Sequence, residues 1–329
     1  MADHRVHRRT VCAGLLAATS AAWAADWKPG GQVEYVIPAA AGGAVDTYGR
    51  VMKKVFDSSG ALGGQSFIIS NRPGGQGMIA VAPVVQRTGD ATVFTMLSTG
   101  YMLGQVLGEF KHDLQKDFTI GPIFFEEALV VAVRADSPLK SGRDLVEHLK
   151  QDPASLRIAV APTLNNHIHI GILKPLKVAG VDTGRLTVAP FRSSAESVTA
   201  LRGGHVDVVS SSSTNVVTGV QSGALRVLAV SSRERLPGAL AQVPTWREQG
   251  VDSVFTSVQG VLFPRGISAE QIAFWDRRMR ELSNAPEWKA ALQQYEVTPR
   301  FMDHTQAAAY VAEELQSSAR LLRQLGMVR

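Results

Sequence analysis

The stretch that decides the fold is Val33-Glu34-Tyr35-Val36-Ile37-Pro38-Ala39-Ala40-Ala41-Gly42-Gly43-Ala44-Val45-Asp46. Its apolar start predicts a buried strand, the proline and glycines mark a turn, and Val45, Tyr48 and Met52 continue at helical spacing. Small side chains and two glycines let the backbone approach a bound group, and free N–H groups at a helix N-terminus attract anions, carboxylates included. The stretch therefore predicts a ligand site built from main chain. The same pattern also opens nucleotide-binding folds and purely structural α/β units, so these alternatives remain open at this point.

The first 24 residues have the features of a secretory signal peptide. A basic segment, His4 to Arg9, precedes a short apolar run, Val11 to Ala18, and Ala22-Trp23-Ala24 matches an A-x-A cleavage site. The apolar run is shorter than the roughly 18 residues that a membrane-spanning helix requires. We therefore expect an exported protein, cleaved near Ala24.

Composition and charge narrow the possible functions. The chain is 45% apolar and 19% charged, which is typical of a globular protein and not of a disordered one. The only cysteine, Cys12, lies in the predicted signal peptide, so the mature chain has no disulfide and no thiol nucleophile. Cleavage removes three arginines and one aspartate and so lowers the net charge from +5 to +3. Without a block of Lys and Arg interleaved with aromatics, this charge does not indicate a nucleic-acid-binding protein.

The order of strand, small or polar loop, and helix recurs along the chain. Later strands are followed by the loops Asn71–Gly77, Ser98–Tyr101 and Pro162–His169. This alternation predicts a mostly parallel sheet with helices on both faces, and ligands collect at the carboxyl edge of such sheets. The structural alternative is that such loops are simply short βα connections.

Several local boundaries can also be predicted. Ser141 with Asp144, and Ser268 with Gln271, have the spacing of helix capping boxes, and a last helix follows Thr305. A strand Val206–Val209 leads to Ser210–Ser213, which we predict to be a turn. Strands at 128–133 and 254–263 are the candidates for crossing between two domains, residues 25–127 plus 254–329 and residues 128–253.

The ordered set of loops resembles the periplasmic solute receptors of tripartite tricarboxylate transporters, also known as Bug proteins. The residues that carry the resemblance run through the mature chain: Pro38-Ala39-Ala40-Ala41-Gly42-Gly43 with Asp46, Asn71-Arg72-Pro73-Gly74-Gly75, Val133 to Pro138, Leu201 to Val208, Leu225 to Val230, and Val243-Pro244-Thr245 before Glu248-Gln249-Gly250. Val133 to Pro138 and Arg235-Leu236-Pro237-Gly238 are most similar to the tricarboxylate-receptor branch. No single motif is specific, but their order and spacing together are.

The resemblance implies a fold and a function. The expected fold is α/β, with two doubly wound domains joined by crossing strands, as in type II-like periplasmic binding proteins. The expected function is capture of a small carboxylate between the domains and its delivery to integral-membrane transporter subunits. The resemblance also implies that a first pincer, Ala39 to Ala44, and a second pincer, Thr163 to His169, grip the carboxylate through backbone amides and water. We expect a monomer without cofactor, catalytic activity or nucleic-acid partner.

The sequence departs from the family pattern in two places. The second pincer reads Asn165-Asn166-His167-Ile168-His169, where small residues before a histidine or tryptophan are usual. The loop after Val209, which often carries an aspartate that can meet a ligand ammonium, is a serine run. Without that carboxylate we favour a plain di- or tricarboxylate, with Arg192 either a distal ligand partner or a solvated rim residue.

The expected ligand-binding residues are therefore drawn from both pincers and from the polar loops. They are Ala39, Ala40, Ala41, Gly42, Gly43, Ala44, Ser98, Thr99, Thr163, Asn165, Asn166, His167, His169, Arg192, Ser211 and Ser212.

Other chemistries have weaker support. His167 and His169 would share a face on a strand and could bind a metal, but they would diverge at a helix start, and no acidic partner is adjacent. We expect hydrogen bonding and no metal. A hydrolase lacks G-x-S-x-G, and the opening turn lacks the G-x-G-x-x-G order of a dinucleotide site. Asp46 fits a helix N-terminus better than a catalytic role. A sensory protein that serves a sensor kinase would use the same cleft, and it remains the alternative to a transport receptor.

Overall fold

The structure is a computed structural model that describes residues 27–39, 41 and 44–328, with only the backbone described for residue 44. The predicted signal peptide and its cleavage site lie outside these residues. So do three residues of the first pincer, Ala40, Gly42 and Gly43.

Helices and strands alternate along most of the described chain. The strands are β1 (Val33–Ile37), β2 (Phe67–Asn71), β3 (Val93–Ser98), β4 (Phe118–Arg134), β5 (Arg157–Val160), β6 (Thr187–Pro190), β7 (Val208–Ser212), β8 (Leu225–Val230), β9 (Thr256–Pro264) and β10 (Thr298–Met302). The helices are α1 (Ala44–Ser59), α2 (Met78–Val85), α3 (Thr99–Leu107), α4 (Gly142–Gln151), α5 (His167–Val178), α6 (Ser194–Arg202), α7 (Val217–Gln221), α8 (Ala269–Asn284), α9 (Pro286–Gln294) and α10 (His304–Gln324).

The capping predictions are confirmed. Ser141 and Asp144 form a capping box at α4, and Ser268 and Gln271 form one at α8. The last helix starts beside the predicted Thr305, with Asp303 as its N-cap. Short-range hydrogen bonding sets these boundaries, so they can be read from neighbouring residues.

The sheet is mixed, and the prediction of a mostly parallel sheet is wrong in this respect. The strand order is β2-β1-β3-β9-β4-β7-β5-β6, with β8 and β10 also pairing with β4. The pairs β1–β2, β1–β3, β5–β6 and β5–β7 are parallel. Every described pairing of β4 or β9 is antiparallel, because these strands carry the chain out of one half of the molecule and back again.

Strand β4 joins the two halves of the molecule. Its first part pairs with β9 as far as Ala128 opposite Thr256. From Leu129, which lies opposite Ser212, it pairs with β7 and β8 instead. The crossing strands thus lie where the sequence predicted them, although β4 starts ten residues before residue 128. The domain boundaries themselves stay a prediction, supported by this change of partners.

Alternate residues of each strand enter different apolar clusters, as the period of two requires. In β1, Tyr35 and Ile37 pack with α1, α8 and α9, whereas Val36 packs with α2, α3 and α10. In the other half, Val131 and Val130 face two separate clusters in the same way. Helices therefore cover both faces of the sheet.

A fifth apolar cluster spans the two halves. It contains Leu103 of α3, Ile170 and Leu173 of α5, and Leu322 near the end of α10. The end of the last helix, which starts against the first half, is thus packed on α5 of the second half.

The serine run is not the predicted turn. Strand β7 continues through Ser212, and the irregular segment begins only at Ser213. Small polar side chains are tolerated here because the strand lies between β4 and β5, and the Ser210 hydroxyl donates a hydrogen bond to the Ile168 carbonyl at 2.8 Å. Because β7 ends in three polar residues, the sequence pattern did not indicate that they belong to the sheet.

Gly260 permits the close approach of β4 and β9. A Cβ at this position would lie 2.5 Å from the Pro122 carbonyl oxygen and 2.9 Å from Ile123 Cα. Both neighbours are backbone atoms and cannot rotate away. We expect Gly260→Ala to cost about 1–3 kcal/mol of stability, measured as a lower melting temperature. Gly30→Ala, where no atom lies within 4 Å, is the matched control, and equal effects of both substitutions would contradict this account.

Candidate functional site

A cavity of about 570 Å³ lies between the two halves of the molecule at the carboxyl ends of β1, β3 and β5. Its size is within the range of small-molecule sites. The lining residues are Pro38, Gly74, Gln76, Gly77, Met96, Ser98, Gly100, Tyr101, Gly104, Glu109, Phe110, Pro162, Thr163, Asn165, Asn166, His167 and Arg192.

The first half presents the N-terminus of α3 to this cavity. Ser98 ends β3 and is the N-cap of α3, but its hydroxyl makes no capping hydrogen bond. The first N–H groups of a helix have no partner within the helix and attract anions. Thr99 does not line the cavity. It is fully buried, and its Oγ1 accepts a hydrogen bond from Val258 N at 3.0 Å.

The second half presents the N-terminus of α5 through a rigid turn. Asn166 is the N-cap: its Oδ1 accepts from His169 N at 2.9 Å, and its Nδ2 donates to the Ala161 carbonyl at 2.8 Å. Asn165 is left-handed, with φ 65°, and its N–H donates to His169 Nδ1 at 3.0 Å. These hydrogen bonds within the chain hold the second pincer in place.

His167 lies where the two helix N-termini meet. A Cβ on Gly100 would be 3.5 Å from His167 Nδ1 and 3.4 Å from Ser98 Oγ, so Gly100 of one half directly faces His167 of the other. His167 Nδ1 is buried and has no hydrogen-bond partner among the described residues. Burial lowers the pKa of His167 to about 4, so its ring is neutral near pH 7.

His169 is not brought to the cavity, although the sequence placed it in the ligand site. Its ring lines a separate cavity of about 250 Å³ together with Leu173 and Met327. The reason is that Nδ1 accepts the hydrogen bond from Asn165, which turns the ring towards its own turn. Burial lowers the pKa of His169 to about 4.

Ser211 and Ser212 are also absent from the cavity lining. Both are buried in β7. The Ser212 and Thr214 side chains hydrogen-bond the Glu127 carboxyl, and burial raises the pKa of that carboxyl against the lowering effect of these bonds. The segment after Val209 contains no acidic residue in the sequence. Glu127 supplies one from β4, more than 80 residues earlier in the chain, at a place that only tertiary pairing reveals.

The described part of the first pincer is anchored beside the cavity. Pro38 lines the cavity, and the Ala39 carbonyl accepts from Asn71 Nδ2 at 3.1 Å. Asn71 also donates to Asp46 Oδ1 at 3.0 Å, and Asp46 pairs with Arg50 at 2.7 Å. Asp46 is therefore buried in a structural network near the start of α1. Neither Ala39 nor Ala41 is a lining residue, and Ala44 is known only as the first residue of α1.

Two charged residues of opposite sign line the cavity. The Arg192 side chain is 93% exposed, and its Nε lies 3.5 Å from Glu196 Oε2. Glu109 reaches the cavity from the segment after α3 and is also exposed. Glu109 was missed because a lone acidic residue after a helix carries no sequence signal. Gly74–Gly77, by contrast, could have been included, since the sequence analysis had already placed that loop at the ligand-collecting edge.

The described residues contain no group of three or more His, Cys, Asp or Glu side chains that could hold a metal ion. His167 and His169 line different cavities, as expected for side chains that diverge at a helix start. Within the same residues, no helix has the length and apolar character needed to cross a membrane.

Comparison with known proteins agrees with this geometry. The model of the tripartite tricarboxylate transporter family receptor matches residues 51–327. The chain belongs to this receptor family. Among curated relatives, the UPF0065 protein in the gbd 5′ region of Cupriavidus necator is 27% identical over 95% of this chain and 93% of its own length. The protein BugT of Bordetella pertussis is 24% identical over 95% of this chain and 94% of its own.

Solved structures of the same fold include two from Rhodopseudomonas palustris. MatC with bound malate has a TM-score of 0.75 and 22% identity, and the match covers 89% of this chain and 99% of the MatC chain. A second protein, with adipate, has a TM-score of 0.78 and 24% identity and covers 91% of this chain and 98% of its own. The expected two-domain periplasmic-binding-protein fold is thereby confirmed.

The buried histidines predict how stability depends on pH. The folded pKa of His169, about 4, is lower than the value of about 6.5 expected in the unfolded chain. Between these values the unfolded state binds more protons, so the contribution is fully present above about pH 6.5 and is lost as pH falls towards 4. We expect the melting temperature to fall across this window, with the loss due to His169 on the order of 3 kcal/mol once the pH is below 4.

His169→Asn tests the assignment, because asparagine can keep an acceptor near the position of Nδ1. The variant should show a flatter dependence of melting temperature on pH between 4 and 6.5 than the unsubstituted protein. At pH 8 the histidine of the unsubstituted protein is neutral. The difference in melting temperature between the two proteins at that pH therefore measures the packing that the substitution removes. An unchanged slope would contradict the assignment.

Proposed function

We propose that the protein is a periplasmic receptor that captures a small organic di- or tricarboxylate in the cavity between its halves. It then delivers this ligand to the integral-membrane subunits of a tripartite transporter. The observation that supports this most directly is the convergence of the N-termini of α3 and α5, one from each half, on a single cavity.

The site suits a carboxylate held by neutral donors. Helix N-termini carry partial positive charge and unpaired N–H groups, which stabilise an anion without a buried salt bridge. The Ser98 hydroxyl, Thr163 and the neutral His167 ring add polar groups at the same place. Water can complete the shell at modest cost. In this proposal Ser98, Thr163, Asn165, Asn166 and His167 grip the near carboxylate, together with the amides of the first pincer.

The ligand-bound relatives support the same chemistry. MatC was solved with malate, and the second R. palustris protein with adipate; both ligands are dicarboxylates. On this basis we assign a carboxylate ligand to this chain, with Arg192 as the partner of a distal carboxylate.

Closure between the two halves would complete the capture. Strands β4 and β9 are the connections on which such a hinge motion acts. The closed, ligand-bound monomer is then the form that the membrane subunits recognise, after export and removal of the segment ending near Ala24.

Ligand binding is tested with a panel of malate, adipate, citrate and glutamate on the exported, processed protein. A carboxylate that binds only the native state should raise the melting temperature, with a stabilisation of about 2.7 kcal/mol at 100 times its Kd. Glutamate serves as the zwitterionic comparison. If glutamate gave the only shift, the plain-carboxylate proposal would be wrong. Recovery of the ligand unchanged after incubation separates binding from hydrolysis.

Ser98→Asp and Ser98→Asn form a matched pair that locates the anion. Aspartate and asparagine are equally good N-caps, so both should keep the fold. Only aspartate places a negative charge where the ligand carboxylate is expected. We therefore expect Ser98→Asp to abolish the ligand-induced shift and Ser98→Asn to retain part of it. Equal binding by the two variants would place the carboxylate elsewhere. Uptake of labelled ligand by cells that carry each variant tests delivery.

Arg192→Gln tests the distal contact. Because the side chain is so exposed, its ion pair with a ligand should be weak, and we expect adipate binding to weaken about two- to fivefold. Hexanoate, which lacks the second carboxylate, should be unaffected by the substitution. Arg202→Gln is the control, since Arg202 is exposed and does not line the cavity. If the substitution weakened the binding of adipate and hexanoate equally, Arg192 would be a solvated rim residue and not a partner of the distal carboxylate.

A further inference from the structure

One wall of the interdomain cavity is aromatic. The rings of Tyr101 and Phe110 are stacked, with centroids 4.6 Å apart and planes 22° from parallel. Both residues line the cavity, and Met96, Pro38 and Pro162 extend the apolar surface around them. This wall adjoins the α3 N-terminus, because Tyr101 belongs to the first turn of that helix.

Glycines fix the position of the wall. A Cβ on Gly77 would overlap the Tyr101 ring and hydroxyl, and a Cβ on Gly104 would lie 3.1 Å from Phe110 Cβ. The Gly104 carbonyl also accepts hydrogen bonds from Glu109 N at 2.8 Å and Phe110 N at 2.9 Å. The two rings are thus held in one arrangement by backbone on both sides and need no reordering when a ligand arrives.

Few charged groups line the cavity. Among the described lining residues, only Glu109 and Arg192 have charged side chains, and both are exposed, while Gln76 adds a neutral amide. A hydroxylated tricarboxylate would place carboxylate or hydroxyl groups against Met96 and Phe110, where they would lose water without gaining a hydrogen bond. The one polar group on this wall is the Tyr101 hydroxyl, which is buried and has no hydrogen-bond partner among the described residues. A flat apolar body with a carboxylate at one end matches both parts of the lining.

We infer that the ligand is an aromatic carboxylate, whose carboxylate lies at the α3 and α5 N-termini and whose ring packs on the Tyr101–Phe110 wall. The inference rests on the proposed function and specifies its substrate class. Contacts between aromatic rings add stabilisation beyond buried area, and a rigid ring loses less conformational freedom than a chain on binding.

Terephthalate and adipate are the decisive probes. Along the shortest path, the same number of carbon atoms separates the two carboxylates in each compound. The two compounds therefore differ mainly in whether a ring joins the carboxylates. Calorimetric titration of the exported, processed protein should give a Kd for terephthalate at least about fivefold lower than that for adipate. Citrate and benzoate complete the panel, with benzoate testing whether one carboxylate on a ring is enough.

Phe110→Leu tests the wall, because leucine keeps apolar bulk and removes the stacked ring. It should narrow the terephthalate-to-adipate preference about two- to tenfold and leave the affinity for adipate nearly unchanged. Phe124→Leu is the matched control: Phe124 is equally buried but packs against Trp288, away from the cavity, so the preference should persist.

The outcomes separate this inference from the proposed function. If adipate or citrate bound as tightly as terephthalate, the aromatic assignment would be overturned, while the carboxylate receptor would stand. If no member of the panel bound, both would fail. If the Phe110→Leu variant does not fold, the preference of the unsubstituted protein for terephthalate over adipate by itself decides whether the aromatic assignment stands.

Discussion

The pairing of β4 with β9 is the constraint on which the rest of the structure depends. Strand β4 is 17 residues long and belongs to both halves of the molecule, so it sets the distance and angle between them. Its approach to β9 is close enough that Gly260 has no room for a side chain. The partners of β4 change between Ala128 and Leu129, and the carboxyl ends of β1 and β3, in one half, line the same cavity as that of β5, in the other. The cavity is a consequence of that geometry.

Two kinds of charge line this cavity: the exposed side chains of Glu109 and Arg192, and the partial positive charge of two helix N-termini. Two helix N-termini from different halves meet at Gly100 and His167, and the histidine is neutral because it is buried. A site of this kind binds anions without the desolvation cost of a buried cation. In the proposed function, closure brings the donors of the two halves together, since each half alone supplies only part of the donor set. The apolar wall of Tyr101 and Phe110, which adjoins the α3 N-terminus, completes the lining.

Five of the residues that the sequence predicts to bind ligand line the cavity, and their positions are set by neighbours in the chain. Ser98 ends β3, Thr163, Asn165 and Asn166 lie in the loop after β5, and His167 begins α5. Thr99, His169 and the serine run do not line the cavity, for local reasons that the sequence does not show. Thr99 turns inward to bond Val258 N, His169 accepts a hydrogen bond from its own turn, and the serine run stays in strand β7.

The sequence by itself determined the alternation of strands and helices, the capped helix starts, the crossing segments and the membership of the receptor family. These depend on periodicity, on capping over three or four residues, and on ordered motifs, all of which are local in the chain. Only the tertiary structure decided the direction of the crossing strands in the sheet, the partnership of Glu127 with Ser212 and Thr214, and the stacking of Tyr101 on Phe110. Each of these depends on which side chains packing brings together across the fold, and no sequence spacing specifies that.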